Sequence, residues 1–162
     1  MIASTLQAED DVGTVFPPAN FTVPDPEANT GSPLEIFVPF TTERGTFAAL
    51  HAAFRLSIDL RARIEMIAPE IVPYPLPLNR PPVAPSFVEN RYRSLLEQRG
   101  VAARIQIRLC RQPREAIACA LNPKSLVVVG ASRRWWPTEE RLCGWLRSQG
   151  HFVIIVRADS GD

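Results

Sequence analysis

The side chains able to do chemistry are few in this 162-residue chain, and they are poorly grouped. Neither histidine, His51 or His151, has a cysteine, serine or carboxylate at a spacing that would make it the base for a nucleophile. The three cysteines, Cys110, Cys119 and Cys143, form no Cys-x-x-Cys pair, and an odd number cannot all be bridged within one chain. They read as buried small apolar residues in a reducing compartment. There is no Gly-x-x-x-x-Gly-Lys-Ser/Thr loop, no Gly-x-Ser-x-Gly elbow, no metal-ligand cluster and no acid/base pair. Catalytic and metal sites are therefore not expected. What remains is Gly130-Ala-Ser-Arg-Arg-Trp-Trp136, where a glycine amide, a hydroxyl and two guanidinium groups could together hold an anion.

The elements around that loop explain why it matters. Ser125 to Val129 and Phe152 to Val156 are short unbroken apolar runs, as expected of parallel strands covered on both faces. A helix from about Thr138 to Gln149 fits between them, giving a strand–helix–strand unit. In open sheets of this kind ligands lie beyond the carboxyl ends of the strands, where the Gly130 loop falls.

Upstream, Glu35 to Phe40 predicts the first strand, and Thr41-Thr-Glu-Arg offers capping hydroxyls to a helix. In that helix Phe47, Leu50, His51, Phe54 and Ile58 recur at threes and fours, a stripe expected to face the sheet, with His51 a structural residue at its edge. Arg63 to Ala68 predicts a second strand. Seven prolines then fall in seventeen residues from Pro69 to Pro85, predicting an extended connection with Val72, Tyr74, Leu76 and Leu78 against the body. Such a long loop is often one wall of a binding site. Ser86 and Glu89 suggest a capping box for a helix Phe87 to Arg99. Val101 to Leu109 alternates like an edge strand, and Pro113 opens a helix Arg114 to Leu121. The regular alternation of strand and helix specifies an α/β three-layer sandwich with a five-stranded parallel sheet.

Composition sets the outer limits. A chain of this length with 46% hydrophobic residues suits one domain. Residues 1–33 hold five acidic groups, five prolines at 17, 18, 24, 26 and 33, and no basic residue, so a flexible acidic tail is expected there. The domain proper is expected over 34–157, with a short tail at 158–162. The remainder carries a net charge of +6, and every basic residue except Lys124 is arginine. That suits anionic ligands, but the charge is too dispersed to indicate nucleic acid. No apolar run of membrane-spanning length is present, which makes a cytoplasmic protein the default expectation.

Taken in order, Ile36-Phe-Val-Pro-Phe40 with its alanine-rich helix, Ile71-Val-Pro-Tyr-Pro-Leu-Pro77, Pro113-Arg-Glu-Ala-Ile117 and Ser125-Leu-Val-Val-Val-Gly130 resemble the universal stress protein family over residues 34–157. The resemblance implies a Rossmann-like sheet of order 3-2-1-4-5, with its switch point between the first and fourth strands. Family members that bind ATP carry Gly-x-x-Gly-x9-Gly-Ser/Thr after the fourth strand. Laid on this chain, the pattern meets Gly130, Arg133, Cys143 and Gly144, and only Gly130 matches; a one-residue slide brings Gly144 onto the third glycine. The acidic residue that holds the adenine corresponds to Thr41, and Trp135 and Trp136 fall where the loop should be small.

The resemblance thus implies a degenerate nucleotide site and no required cofactor. The expected function is a noncatalytic domain acting through association, both with a partner protein and as a homodimer through Phe152, Val153, Ile154, Ile155 and Val156 of the last strand. The alternative is a stress switch or slow ATPase that holds ATP or another adenine nucleotide with Thr41, Gly130, Ser132, Arg133 and Gly144.

Overall fold

The computed structural model describes residues 33–132 and 136–158. The expectations for the acidic tail, for Arg133 and Arg134, and for the indoles of Trp135 and Trp136 lie outside what it describes. The elements are β1 (Glu35–Pro39), α1 (Glu43–Leu60), β2 (Arg63–Ile71), α2 (Pro85–Gln98), β3 (Arg104–Cys110), α3 (Pro113–Ala120), β4 (Leu126–Ala131), α4 (Trp136–Ser148) and β5 (Phe152–Arg157). All strand pairs are parallel, in the order β3-β2-β1-β4-β5. The expected three-layer architecture is the one observed.

Two apolar clusters fill the space on either side of the sheet. One joins Ile36, Val38, Ile64, Met66 and Val128 to Phe47, Ala49, Leu50 and Ala53 of α1 and Leu96 of α2. The other joins Phe37, Ile67, Val127 and Val129 to Ile117 of α3 and Leu142, Cys143 and Leu146 of α4. Strand β4 is sealed on both sides, as its valine run predicts. Strand β5 is not: Phe152 is 64% exposed and Ile154 38% exposed, although Val156 packs against the α1-side cluster. The difference follows from position, because an outermost strand has a neighbour on one side only.

The buried face of α1 is rotated from the expected stripe. Gly45, Thr46, Phe47, Ala49, Leu50 and Ala53 are buried, whereas His51 is exposed and Phe54 and Ile58 are 47% and 63% exposed. Small residues let the helix axis approach the sheet closely, and the resulting packing outweighs the gain from burying larger side chains farther out. Thr42 caps this helix, accepting from the Gly45 amide at 3.2 Å, as the hydroxyl pair suggests.

Two expectations about the central stretch are corrected. Helix α2 starts at Pro85 after an Ala84 cap with no side-chain bond, so Ser86 lies inside the first turn and Glu89 pairs with Arg93. Proline at the first helical position presets the backbone, and that replaces the capping box. Strand β2 also runs through Pro69 to Ile71. The Ile67 carbonyl accepts from the Phe40 amide, so alternate residues of β2 turn their backbone groups toward β1. Pro69 occupies the next such position, beyond the last β1 residue paired with β2, so its missing N–H interrupts no ladder bond.

After β2 only Val72 of the four apolar loop residues is buried; Tyr74, Leu76 and Leu78 are exposed. Here the loop is tied down by its backbone. Arg111 donates to the Val72 and Leu76 carbonyls at 2.6 Å each, and its guanidinium lies 4.0 Å from the centroid of the Tyr74 ring.

The cysteines are all free, and Cys119 is exposed, contrary to expectation, because it lies on the outer face of short α3. Burial pushes the Cys143 thiol up to about 11, with Arg147 opposing and Glu139 and Glu140 reinforcing. At pH 8 roughly one Cys143 in a thousand is thiolate. Iodoacetamide applied to folded protein should therefore label Cys119 well before Cys143, as read by peptide mass mapping; equal rates would mean that α4 opens freely.

Burial also raises the Glu65 carboxyl, helped by Glu35 and opposed by Arg104 and Arg108. A carboxyl that binds its proton more tightly when folded costs stability once ionised. Glu65→Gln should therefore raise Tm at pH 7, and the gain should vanish on acidification through the carboxylate range. A gain independent of pH would assign the effect to packing instead.

Candidate functional site

The place to look is the crevice where the chain reverses direction across the sheet, beyond the carboxyl ends of β1 and β4. Helix α1 enters it directly from β1 through Phe40, Thr41 and Thr42, and the approach is close. A Cβ built on Gly130 would lie 1.7 Å from the Gly45 carbonyl oxygen, and one on Gly45 would lie 2.8 Å from the Gly130 carbonyl oxygen. Only two glycines permit backbone to meet backbone at this separation. Thr41 locks the junction: its Oγ1 donates to the Gly130 carbonyl at 2.7 Å, and its amide donates to Thr46 Oγ1 at 3.1 Å.

Among the residues the sequence singles out, Thr41 and Gly130 are thus brought together, but in a packing contact. Ser132 follows at the end of β4 with its hydroxyl oxygen buried and without a hydrogen-bond partner. Arg133 lies outside the described residues. Gly144 sits on the exposed side of α4 with open space at its Cα, about 12 Å along the helix from Trp136. Its amide belongs to the helix interior.

Two participants escape the sequence reading. Gly45 stands three residues after the capping threonine, where nothing but the close approach to β4 calls for glycine. Glu139, in the first turn of α4, is only 3% exposed, and its Oε2 has no partner. It shares a stripe with Leu142, Cys143 and Leu146, three, four and seven residues on. That spacing was the available signal, and it was hidden by the habit of placing carboxylates at helix starts outside the core.

The histidines take no part in the site. His151 Nδ1 accepts from the Ser125 amide at 3.3 Å, bracing the start of β4, and His51 points to solvent. Among the described residues no group of three His, Cys, Asp or Glu could hold a metal ion, and no helix is long and apolar enough to cross a membrane.

Fold and crevice define a doubly wound α/β domain with its switch point packed shut on the α1 side. The chain is similar in structure to a protein from the universal stress protein family from Burkholderia pseudomallei. That likeness has 22% identity and a TM-score of 0.47, and covers 78% of this chain and 98% of that one. No family model and no curated protein matches the sequence.

The glycine junction is directly testable. Gly130→Ala should destabilise the protein by on the order of 3 kcal/mol in urea unfolding, because the methyl group meets a main-chain carbonyl that cannot rotate away. Gly45→Ala should cost less, since its methyl would approach the Gly130 carbonyl oxygen only to 2.8 Å, against 1.7 Å for the reverse contact. A neutral Gly130→Ala would mean that α1 and β4 do not meet in solution.

Proposed function

We propose that this domain is a noncatalytic, universal stress protein-like association module that pairs with a second copy of itself through β5 and has lost standard ATP binding. The observation that carries the reading is the contrast between the two edges of the sheet. Strand β3 ends one side with Arg104 and Arg108, charges that discourage edge-to-edge pairing. Strand β5 ends the other with Phe152, Val153, Ile154, Ile155 and Val156, an uncharged run with two large side chains in contact with water. Among the described residues it is hydrogen-bonded as a strand to β4 alone. Pairing with its own copy about a twofold axis satisfies the free backbone edge and covers Phe152 and Ile154.

Loss of the nucleotide role is supported by the Gly130 geometry. A phosphate-binding glycine needs a free amide in an open loop. Here Gly130 is the fifth residue of a six-residue strand, paired with Val156 and pressed against Gly45. The three free thiols fit the reducing cytoplasm as the setting.

Native mass spectrometry should show a dimer free of added mass, with Phe152→Lys and Ile154→Lys shifting it to monomer while circular dichroism is unchanged. A wild-type monomer sinks the β5 interface. Millimolar ATP should leave Tm unmoved; a saturable rise that Arg133→Glu abolishes would establish an arginine-assisted adenine-nucleotide site instead.

A further inference from the structure

Exposed large apolar side chains are concentrated in one stretch: Ile71, Tyr74, Leu76, Leu78, Val83 and Phe87 are six of the twelve among the described residues. Such a concentration marks an interaction surface. The stretch is also held in shape from within. Leu76 donates its amide to the Pro73 carbonyl at 3.0 Å and Arg80 donates to the Pro77 carbonyl at 2.9 Å, closing two successive turns in which prolines preset the backbone. The Arg111 guanidinium clamps the first turn through the Val72 and Leu76 carbonyls and stacks on the Tyr74 ring, which still keeps 81% of its surface exposed. An apolar surface fixed in this way binds an occupant at little further cost in ordering.

We infer that the occupant is an amino-terminal stretch of the same chain: residues 9–27 fold back onto the 71–87 loop, with Val15, Phe16, Phe21 and Val23 on its apolar side chains. The match is in polarity and in charge. Those four apolar residues stand between Glu9, Asp10 and Asp11 on one side and Asp25 and Glu27 on the other, with no basic residue among them. In the loop, Arg80 is the only charged residue from Ile71 to Ser86, and Arg111 adds a second cation at the clamp, while Glu70 borders the stretch at the end of β2. An apolar centre with acidic flanks thus meets an apolar surface with arginines. Reach is sufficient, since β2 runs about 26 Å from beside Glu35 to Ile71, whereas the thirteen residues 21–33 span up to about 43 Å when extended. Tethering favours this occupant, because it raises the local concentration of the segment. A second copy fits less well: its loop would bring like charges together, and β5 lies across β1 and β4 from β2.

The test uses full-length protein and a protease that cuts after glutamate, at low ionic strength. Cleavage after Glu9 and Glu27, read by intact mass, should be faster by on the order of ten-fold when Tyr74→Ser and Leu76→Ser are combined, since apolar area covered by the segment is lost. Neither substitution alters the cut sites, and Arg111 keeps its grip because it bonds main-chain oxygens. The second readout is the tyrosine ring spectrum, which holds two residues. Phe16→Ser with Phe21→Ser should shift the Tyr74 signals and leave those of Tyr92, packed against Phe40 at 5.0 Å, in place. Equal cleavage of wild type and loop variant, or a Tyr74 signal as unmoved as that of Tyr92, overturns the inference. Protection that grows with protein concentration does the same, by moving the contact to a second copy.

Discussion

The structure depends on one contact between two glycines. Gly45 and Gly130 bring the first turn of α1 against the end of β4 so closely that neither position accepts a side chain. That contact fixes where α1 sits over β1 and β4, and with it the depth of the crevice between them. The close approach also selects which face of α1 is buried. With the helix held close to the sheet, alanines at 49 and 53 fill the space, and the larger Phe54 and Ile58 are left outside. Thr41 and Thr46 then satisfy backbone and side-chain polar groups that the closed crevice removes from water.

The same contact bears on the proposed loss of nucleotide binding. A glycine after the fourth strand can do two different things: free its amide for a phosphate, or let another backbone approach. Sequence cannot tell these apart, since both require the missing Cβ. Here the partner of Gly130 is Gly45, and the two glycines are 85 residues apart in the chain. Only three-dimensional proximity shows that they answer each other.

What the sequence made legible was what repeats. Strand and helix order, the parallel sheet, the edge position of β3 and the proline start of α3 all follow from local period and punctuation, and each is found in the structure. What it hid depends on distance or on competition between local rules. Ser86 with Glu89 is a sound capping signal, yet Pro85 begins the helix one residue earlier. Pro69 reads as a strand breaker, but β2 outruns β1, so its lost donor faces no partner. Tyr74 and Leu76 read as anchors of the long loop, whereas Arg111 holds that loop by its carbonyls. Of the site, Thr41, Gly130 and Ser132 were legible as positions but not as roles, and Glu139 was missed because its type argued for solvent while its spacing argued for the core.

The two ends of the sheet fit together as a division of labour. An apolar edge strand such as β5 can be kept from aggregating by charge, by a covering element or by pairing with a specific partner. Charge is the means at β3 and is missing from Phe152 to Val156, and α1 does not reach far enough to cover Phe152. Specific pairing, the means proposed here for β5, needs the strand held flat and in register. The register is set through β4, whose Leu126 to Ala131 pair one for one with Phe152 to Arg157. Strand β4 is in turn positioned at its carboxyl end by Gly130 against Gly45 and at its amino end by His151 on the Ser125 amide. Gly130 thus helps to align β5 through β4, a physical reason for glycine at this position that is independent of any phosphate.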